Sequence, residues 1–168
     1  MPEFSDTRLA RPEGAATPFQ ISAGATAVRE TPAADGRVAT FALHGETLHV
    51  IREEGEFGLV QCRRDRYVGW ALMEALSAPV LAVTHKVSAL RTYAFSEPDL
   101  KSAPHFMLSL GARIAATGRQ EGVWIECHRA GWVHQNHLAA LDQFEEDPAG
   151  VARRFLEAPY LWGGRESL

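Results

Sequence analysis

Apolar and polar side chains alternate, with breaks, along Thr47-Leu48-His49-Val50-Ile51 and Phe57-Gly58-Leu59-Val60-Gln61-Cys62, and Glu54-Gly55 lies between the two runs. A period of two with a turn signal in the gap predicts an antiparallel hairpin. Val123-Trp124-Ile125-Glu126-Cys127 has the same character further along. A different pattern begins at Asp147-Pro148, where Val151, Phe155 and Leu156 make one apolar stripe. Asp147 is placed to cap a short helix, Pro148 suits its first position, and Pro159 is expected to end it.

The strand-like segments recur in a fixed order. Gly45-Glu46-Thr47-Leu48, Phe57 to Val60, Gly69-Trp70-Ala71 and Leu76 are answered by Gly111-Ala112-Arg113-Ile114, Trp124 to Cys127, Gly131-Trp132-Val133 and Leu138. Upstream, Val28-Arg29 is answered by Leu90-Arg91. A repeat of roughly 60 residues is too long for a solenoid unit, so each copy reads as a domain. Five or six short strands avoid exposed edges best by closing into a small barrel. The expected fold is therefore mostly β, with tandem β-barrels at residues 19–78 and 79–141. A loose N-terminal arm, residues 1–18, precedes them, with Pro2, Pro12, Gly14 and Pro18. Linker, helix and the start of a further domain follow at residues 142–168.

Composition narrows the partners. With 46% hydrophobic and 23% charged residues, the chain has ordinary material for a soluble core. A net charge of −4 argues against nucleic acid, which needs a concentrated basic surface. Arg63-Arg64-Asp65-Arg66 is short, interrupted by an acid, and reads as a solvated hairpin tip. No run approaches the ~20 apolar residues that span a bilayer, and no basic-then-apolar leader opens the chain. These features point away from a membrane and toward the cytoplasm.

Seven histidines raise the question of a metal. Cys127-His128 with His134 and His137 can be drawn into a ligand set, and His44 and His49 lie close in sequence. Surface-loop histidines explain these equally well, and no metal or organic cofactor is expected. Cys62 and Cys127 are too few for a disulfide framework and fall at non-equivalent places in the two repeats. In strand contexts both read as buried thiols. Arg63 and Arg64 beside Cys62 would favour a thiolate, yet no catalytic residue is assigned.

The order Val-Arg, Gly, Phe/Trp, Gly-Trp resembles bacterial SH3-like domains in both copies. Pro159-Tyr160-Leu161-Trp162-Gly163-Gly164-Arg165 resembles the segment that opens the catalytic domain of NlpC-type peptidases, papain-like cysteine enzymes that cut bacterial cell-wall peptides. In that family Asp-Cys-Ser-Gly, which carries the nucleophile, follows within a few residues; here it does not. Thr84 to Arg91 and Glu97 to Ser102 resemble the second barrel of a dipeptidyl-peptidase-like murein endopeptidase subgroup.

The resemblance implies two SH3-like barrels before a truncated papain-like α+β domain. It implies a parent enzyme that hydrolyses the γ-D-glutamyl to diamino-acid bond of murein (peptidoglycan) peptides with a free N-terminal L-alanine, by thiolate attack and an acyl-enzyme. The chain itself is then the inactive, substrate-recognising half, with a murein stem peptide and its own catalytic domain as partners. In related peptidases an acidic residue and a tyrosine of the first barrel hold the substrate amine. Glu30 and Tyr67 are the candidates here, and Tyr160 matches a tyrosine lining the pocket near the developing oxyanion. Against this, Trp70 filling the barrel core, Tyr67 packing at its edge and Tyr160 packing locally account for the same residues. A stand-alone cell-wall-peptide-binding module and a protein-interaction module remain open alternatives.

Overall fold

The computed structural model of the chain describes residues 6–166. Its first unit contains β1 (Thr17–Ile21), β2 (Ala25–Arg29), β3 (Val38–Leu43), β4 (Thr47–Glu54), β5 (Phe57–Cys62), β6 (Val68–Leu72) and β7 (Leu76–Ser77). These pair antiparallel in the order β3-β2-β6-β5-β4-β1-β7. The second unit contains β8 (His85–Val87), β9 (Arg91–Phe95), β10 (Pro104–Ser109), β11 (Arg113–Ile114), β12 (Ala116–Glu121), β13 (Trp124–Cys127), β14 (Gly131–His134) and β15 (Leu138–Ala140). Its orders are β10-β9-β14-β13-β12 and β11-β8-β15. Ala115 alone separates β11 from β12; joined through it, the second unit repeats the strand order of the first. In both units a 3-10 turn, Met73–Ala75 or Gln135–His137, leads into the last strand. The fold is mostly β, as the alternation predicts.

Each unit has its own core. Ile21, Val28, Leu48, Val60 and Leu76 fill the first; Val87, Ala94, Leu108, Ile114 and Val133 fill the second. Leu43, at the end of β3, belongs to the second core, so the units share apolar surface. The Gly-Trp tryptophans do not enter these main cores. Strand period two places Val60 and Ala71 inside and sends Leu59 and Trp70 to the opposite face. There Trp70 is buried against Phe57 and Leu59 under the Arg52 guanidinium, 5.2 Å from its ring centroid. Arg119 covers Trp132 in the same way at 5.0 Å.

The two units are joined by polar groups with full bonding. Gln20 is buried at 3% exposure; its amide N–H groups donate to the carbonyls of Gly45 and Leu81, each at 3.1 Å. Its carbonyl accepts from the Leu81 N–H at 3.2 Å and from Arg129 Nη1 at 3.0 Å. Arg129 Nη2 also donates to the Pro79 carbonyl at 2.6 Å. Nearby, Arg113 N–H donates to the His44 carbonyl at 2.8 Å. Gly45 has φ +75°, and a methyl group there would overlap the Arg113 carbonyl, so this close backbone approach requires glycine.

The helix is shorter than its sequence predicts. α1 runs Pro148–Arg153, and Asp147 makes no side-chain cap bond. The chain unwinds before Pro159, with Glu157 in the left-handed region at φ 70°, and Leu156 leaves the stripe with 74% of its surface exposed. Among the described residues no helix is long and apolar enough to cross a membrane.

Candidate functional site

Tyr67 ends the turn between β5 and β6. Its carbonyl accepts from the Cys62 N–H at 2.9 Å, its own N–H donates to Asp65 Oδ1 at 3.1 Å, and Arg66 supplies the positive φ that closes the turn. Glu30 follows β2, where its N–H donates to the Arg37 carbonyl at 2.9 Å and closes the loop to β3. Its carboxylate faces solvent.

The described part of the N-terminal arm lies against Tyr67. A 3-10 turn, Thr7–Leu9, packs against β6. The Arg8 guanidinium lies 4.7 Å from the Tyr67 ring centroid, within cation–π range. Asp6 holds it from the side, Nη2 to Oδ2 at 2.7 Å and Nε to Oδ1 at 3.0 Å. The Asp6 hydrogen bond raises the Arg8 pKa above its ordinary value, and the Glu30 charge adds in the same direction. A cation thus rests on the phenol ring and within the field of Glu30. The sequence marks this segment only as a loose arm, because two acidic and basic residues in a proline-bounded stretch carry no periodic signal.

Tyr160 is not part of that contact; its side chain is 84% exposed. Its neighbours Leu161 and Trp162 do reach the Glu30 loop, and with Glu30, Arg37 and Val38 they line a cavity of about 540 Å³. Gly163, at φ +67°, lets the segment ride on β3, since an added Cβ would lie 3.1 Å from Thr40 Cα.

Sequence reasoning missed the residue that fixes this segment. Glu46, in the turn after β3, is buried and accepts the Leu43 N–H at 3.0 Å. Arg165 meets the same carboxylate with both terminal nitrogens, at 2.7 and 2.8 Å, and also donates to the Phe41 carbonyl at 3.1 Å. Burial pushes the Glu46 carboxyl upward, while the Leu43 N–H and the charges of Arg64 and Arg113 pull it down. The available signal was the repeat itself: Ala112 holds the equivalent turn position, so the fold does not need an acid there.

Among the described residues no three His, Cys, Asp or Glu side chains could hold a metal ion together. His134 and His137 are ring neighbours at 5.1 Å, but His134 Nδ1 accepts the Asn136 N–H and His137 Nδ1 pairs with Thr92 Oγ1 at 2.7 Å. Cys62 and Cys127 are both buried free thiols. Burial pushes each up to about 12, so neither is a thiolate at neutral pH.

Residues 28–76 match the family model of the bacterial dipeptidyl-peptidase SH3 domain. They form an SH3-like domain. Among solved structures the chain is similar to an NlpC/P60 family protein from Bacillus cereus, with a TM-score of 0.72 at 15% identity over 90% of this chain and 67% of that one. NlpC2 and NlpC1 from Trichomonas vaginalis give TM-scores of 0.33 and 0.34, each at 12% identity. They cover 91% and 82% of this chain, which spans 61% and 49% of theirs. No curated protein sequence matches. The SH3-like domain holds Glu30, Glu46 and Tyr67, whereas Tyr160 lies outside it.

Proposed function

We propose that the chain is the substrate-recognising part of a murein-peptide endopeptidase that cuts γ-D-glutamyl–diamino-acid bonds, with Tyr67 and Glu30 receiving the free amine of an N-terminal L-alanine. The observation that carries this reading is the cation already seated on the phenol, the Arg8 guanidinium 4.7 Å from the Tyr67 ring centroid. A phenol and a carboxylate accept hydrogen bonds from an ammonium, and a walled pocket rejects longer stems. Tyr160, on the segment that reaches the Glu30 loop, would line the same groove. Hydrolysis itself would be supplied by an NlpC-type catalytic domain, because neither thiol of this chain is placed for it.

The test is a titration of the 168-residue chain with L-Ala-γ-D-Glu and with its N-acetyl derivative, followed by backbone amide shifts. The free amine should move the amides around Glu30 and Tyr67, and the acetylated peptide should not. Tyr67→Ala should abolish the response. Equal responses to the two peptides would overturn the assignment, and binding to intact sacculi without amine discrimination would favour a cell-wall-binding module.

A further inference from the structure

We propose that the cleft where the two β units and the C-terminal segment meet is a binding site for a ligand carrying two or more carboxylate or phosphate groups. Two cavities of about 600 and 500 Å³ adjoin there and share Glu46, Arg64 and Arg113 as lining residues. Arg63 lines the smaller one; Lys86, Arg165 and Glu166 line the larger.

The charges in this space do not cancel. Arg165 meets Glu46 with both terminal nitrogens, and the same carboxylate also acts on Arg64 and Arg113, so one buried acid faces three guanidinium groups. Arg64 sits 3.6 Å from the same carboxylate with more than half of its side chain in solvent. Among the described residues the guanidinium groups of Arg63 and Arg113 make no side-chain hydrogen bond, and the Arg113 charge acts on Glu46. Lys86 leans over the Phe144 ring at 3.9 Å and donates to the Leu141 carbonyl at 3.2 Å, leaving donors to spare. Glu166 opposes them from the wall of the larger cavity, and burial raises its carboxyl above the ordinary carboxylate range. Asp65 acts on Glu46 from the β5–β6 turn, and Glu145 lines a further cavity that shares Lys86 and Phe144 with the larger one.

The backbone that carries these side chains is anchored on both sides of the cleft. The backbone of Arg113 is pinned to the His44 carbonyl and pressed against Gly45, so its side chain leaves from a fixed point. Arg63 and Arg64 leave from a tight turn in which the Arg63 N–H donates to the Thr47 carbonyl at 3.0 Å and the Cys62 carbonyl accepts the Arg66 N–H at 3.0 Å. Guanidinium groups suit planar, bidentate recognition of carboxylate and phosphate, and here three of them leave from anchored backbone. The repeat supports a role beyond folding, because Arg113 takes the place that Thr47 holds in the first unit. This inference does not depend on the amine reading at Tyr67.

The experiment is a calorimetric titration of the full chain at low ionic strength with citrate and with pyrophosphate, using acetate as the monovalent control. Citrate or pyrophosphate should bind saturably and at least tenfold more tightly than acetate, and added salt should weaken binding. A preference between the two names the ligand class. Arg113→Gln and Arg64→Gln should each lower affinity about tenfold or more, while Arg119→Gln, on the Trp132 face, should leave it unchanged. Amide shifts on binding should fall at Gly45, Arg64 and Arg113. Absence of saturable binding of either polyanion, or affinity unaltered in both cleft variants with their folds intact, would overturn the proposal.

Discussion

Removing Arg165 should cost more stability than removing Glu46, although the two form one ion pair. Arg165→Ala strands a carboxylate that is 9% exposed in the native protein, with the Leu43 N–H at 3.0 Å and Arg64 at 3.6 Å as its remaining partners. Stranding one member of a fully sealed pair costs about 3–5 kcal/mol. The adjoining cavity gives water a path to Glu46, so about 2–3 kcal/mol is expected here. Glu46→Ala is different: the freed Arg165 can swing into solvent, and the turn itself accepts alanine, as Ala112 shows in the second unit. Loss of the carboxylate bonds is then worth about 1–2 kcal/mol. The double variant should resemble Glu46→Ala alone, giving a coupling of about 2–3 kcal/mol. Urea unfolding measures all three, and the melting temperature of Arg165→Ala should fall by roughly 4–12 °C for a chain of this size. Amide exchange should quicken along residues 159–166 in both single variants. An Arg165→Ala protein within about 0.5 kcal/mol of the wild type, or one less damaged than Glu46→Ala, would refute the reasoning.

Three further outcomes follow from the geometry. Gly45→Ala combines a left-handed backbone with overlap against the Arg113 carbonyl, whereas Gly111→Ala, at φ +87°, meets open space; the first should lose at least about 3 kcal/mol in denaturant and the second about 1. His44 is buried with Nδ1 donating to the Ala23 carbonyl at 3.0 Å, and burial lowers its pKa below the ordinary 6.5. Unfolded His44 therefore takes up a proton near pH 6.5 while the folded form resists it. Stability should be flat above that value and fall below it, with a slope of up to about 1.4 kcal/mol per pH unit. His137 adds in the same direction, and His44→Phe should flatten the curve; an unchanged slope in that variant would count against the assignment. Finally, a disulfide-exchange reagent should titrate Cys62 and Cys127 only as fast as the protein unfolds, and rapid reaction of either in the native state would contradict their burial.

The strands were legible because alternation and turn glycines report directly on the pleat, and the repeat carried the strand order with it. Trp70 was harder. Its size suggests a core filler, but one position's shift along a strand changes the face, and only the register with Val60 and Gly69 shows which side it takes. The helix ended early because a left-handed Glu157 is invisible to a pattern that sees proline as the next stop. Glu30 and Tyr67 could be singled out, yet nothing local announces that Arg8 would lie on the tyrosine. Glu46 and Gln20 were missed for a shared reason. A polar side chain in a turn or on a strand looks solvated until distant partners, Arg165 in one case and Leu81 and Arg129 in the other, arrive to satisfy it.

Gln20 spends both of its donors and both of its acceptor sites on groups that belong to opposite sides of the junction. Such an amide works like the locked screw of a pair of callipers, holding the jaws at one gap. A molecule long enough to touch both jaws would lose little entropy in aligning them, and its length, more than its flexibility, would decide whether it fits.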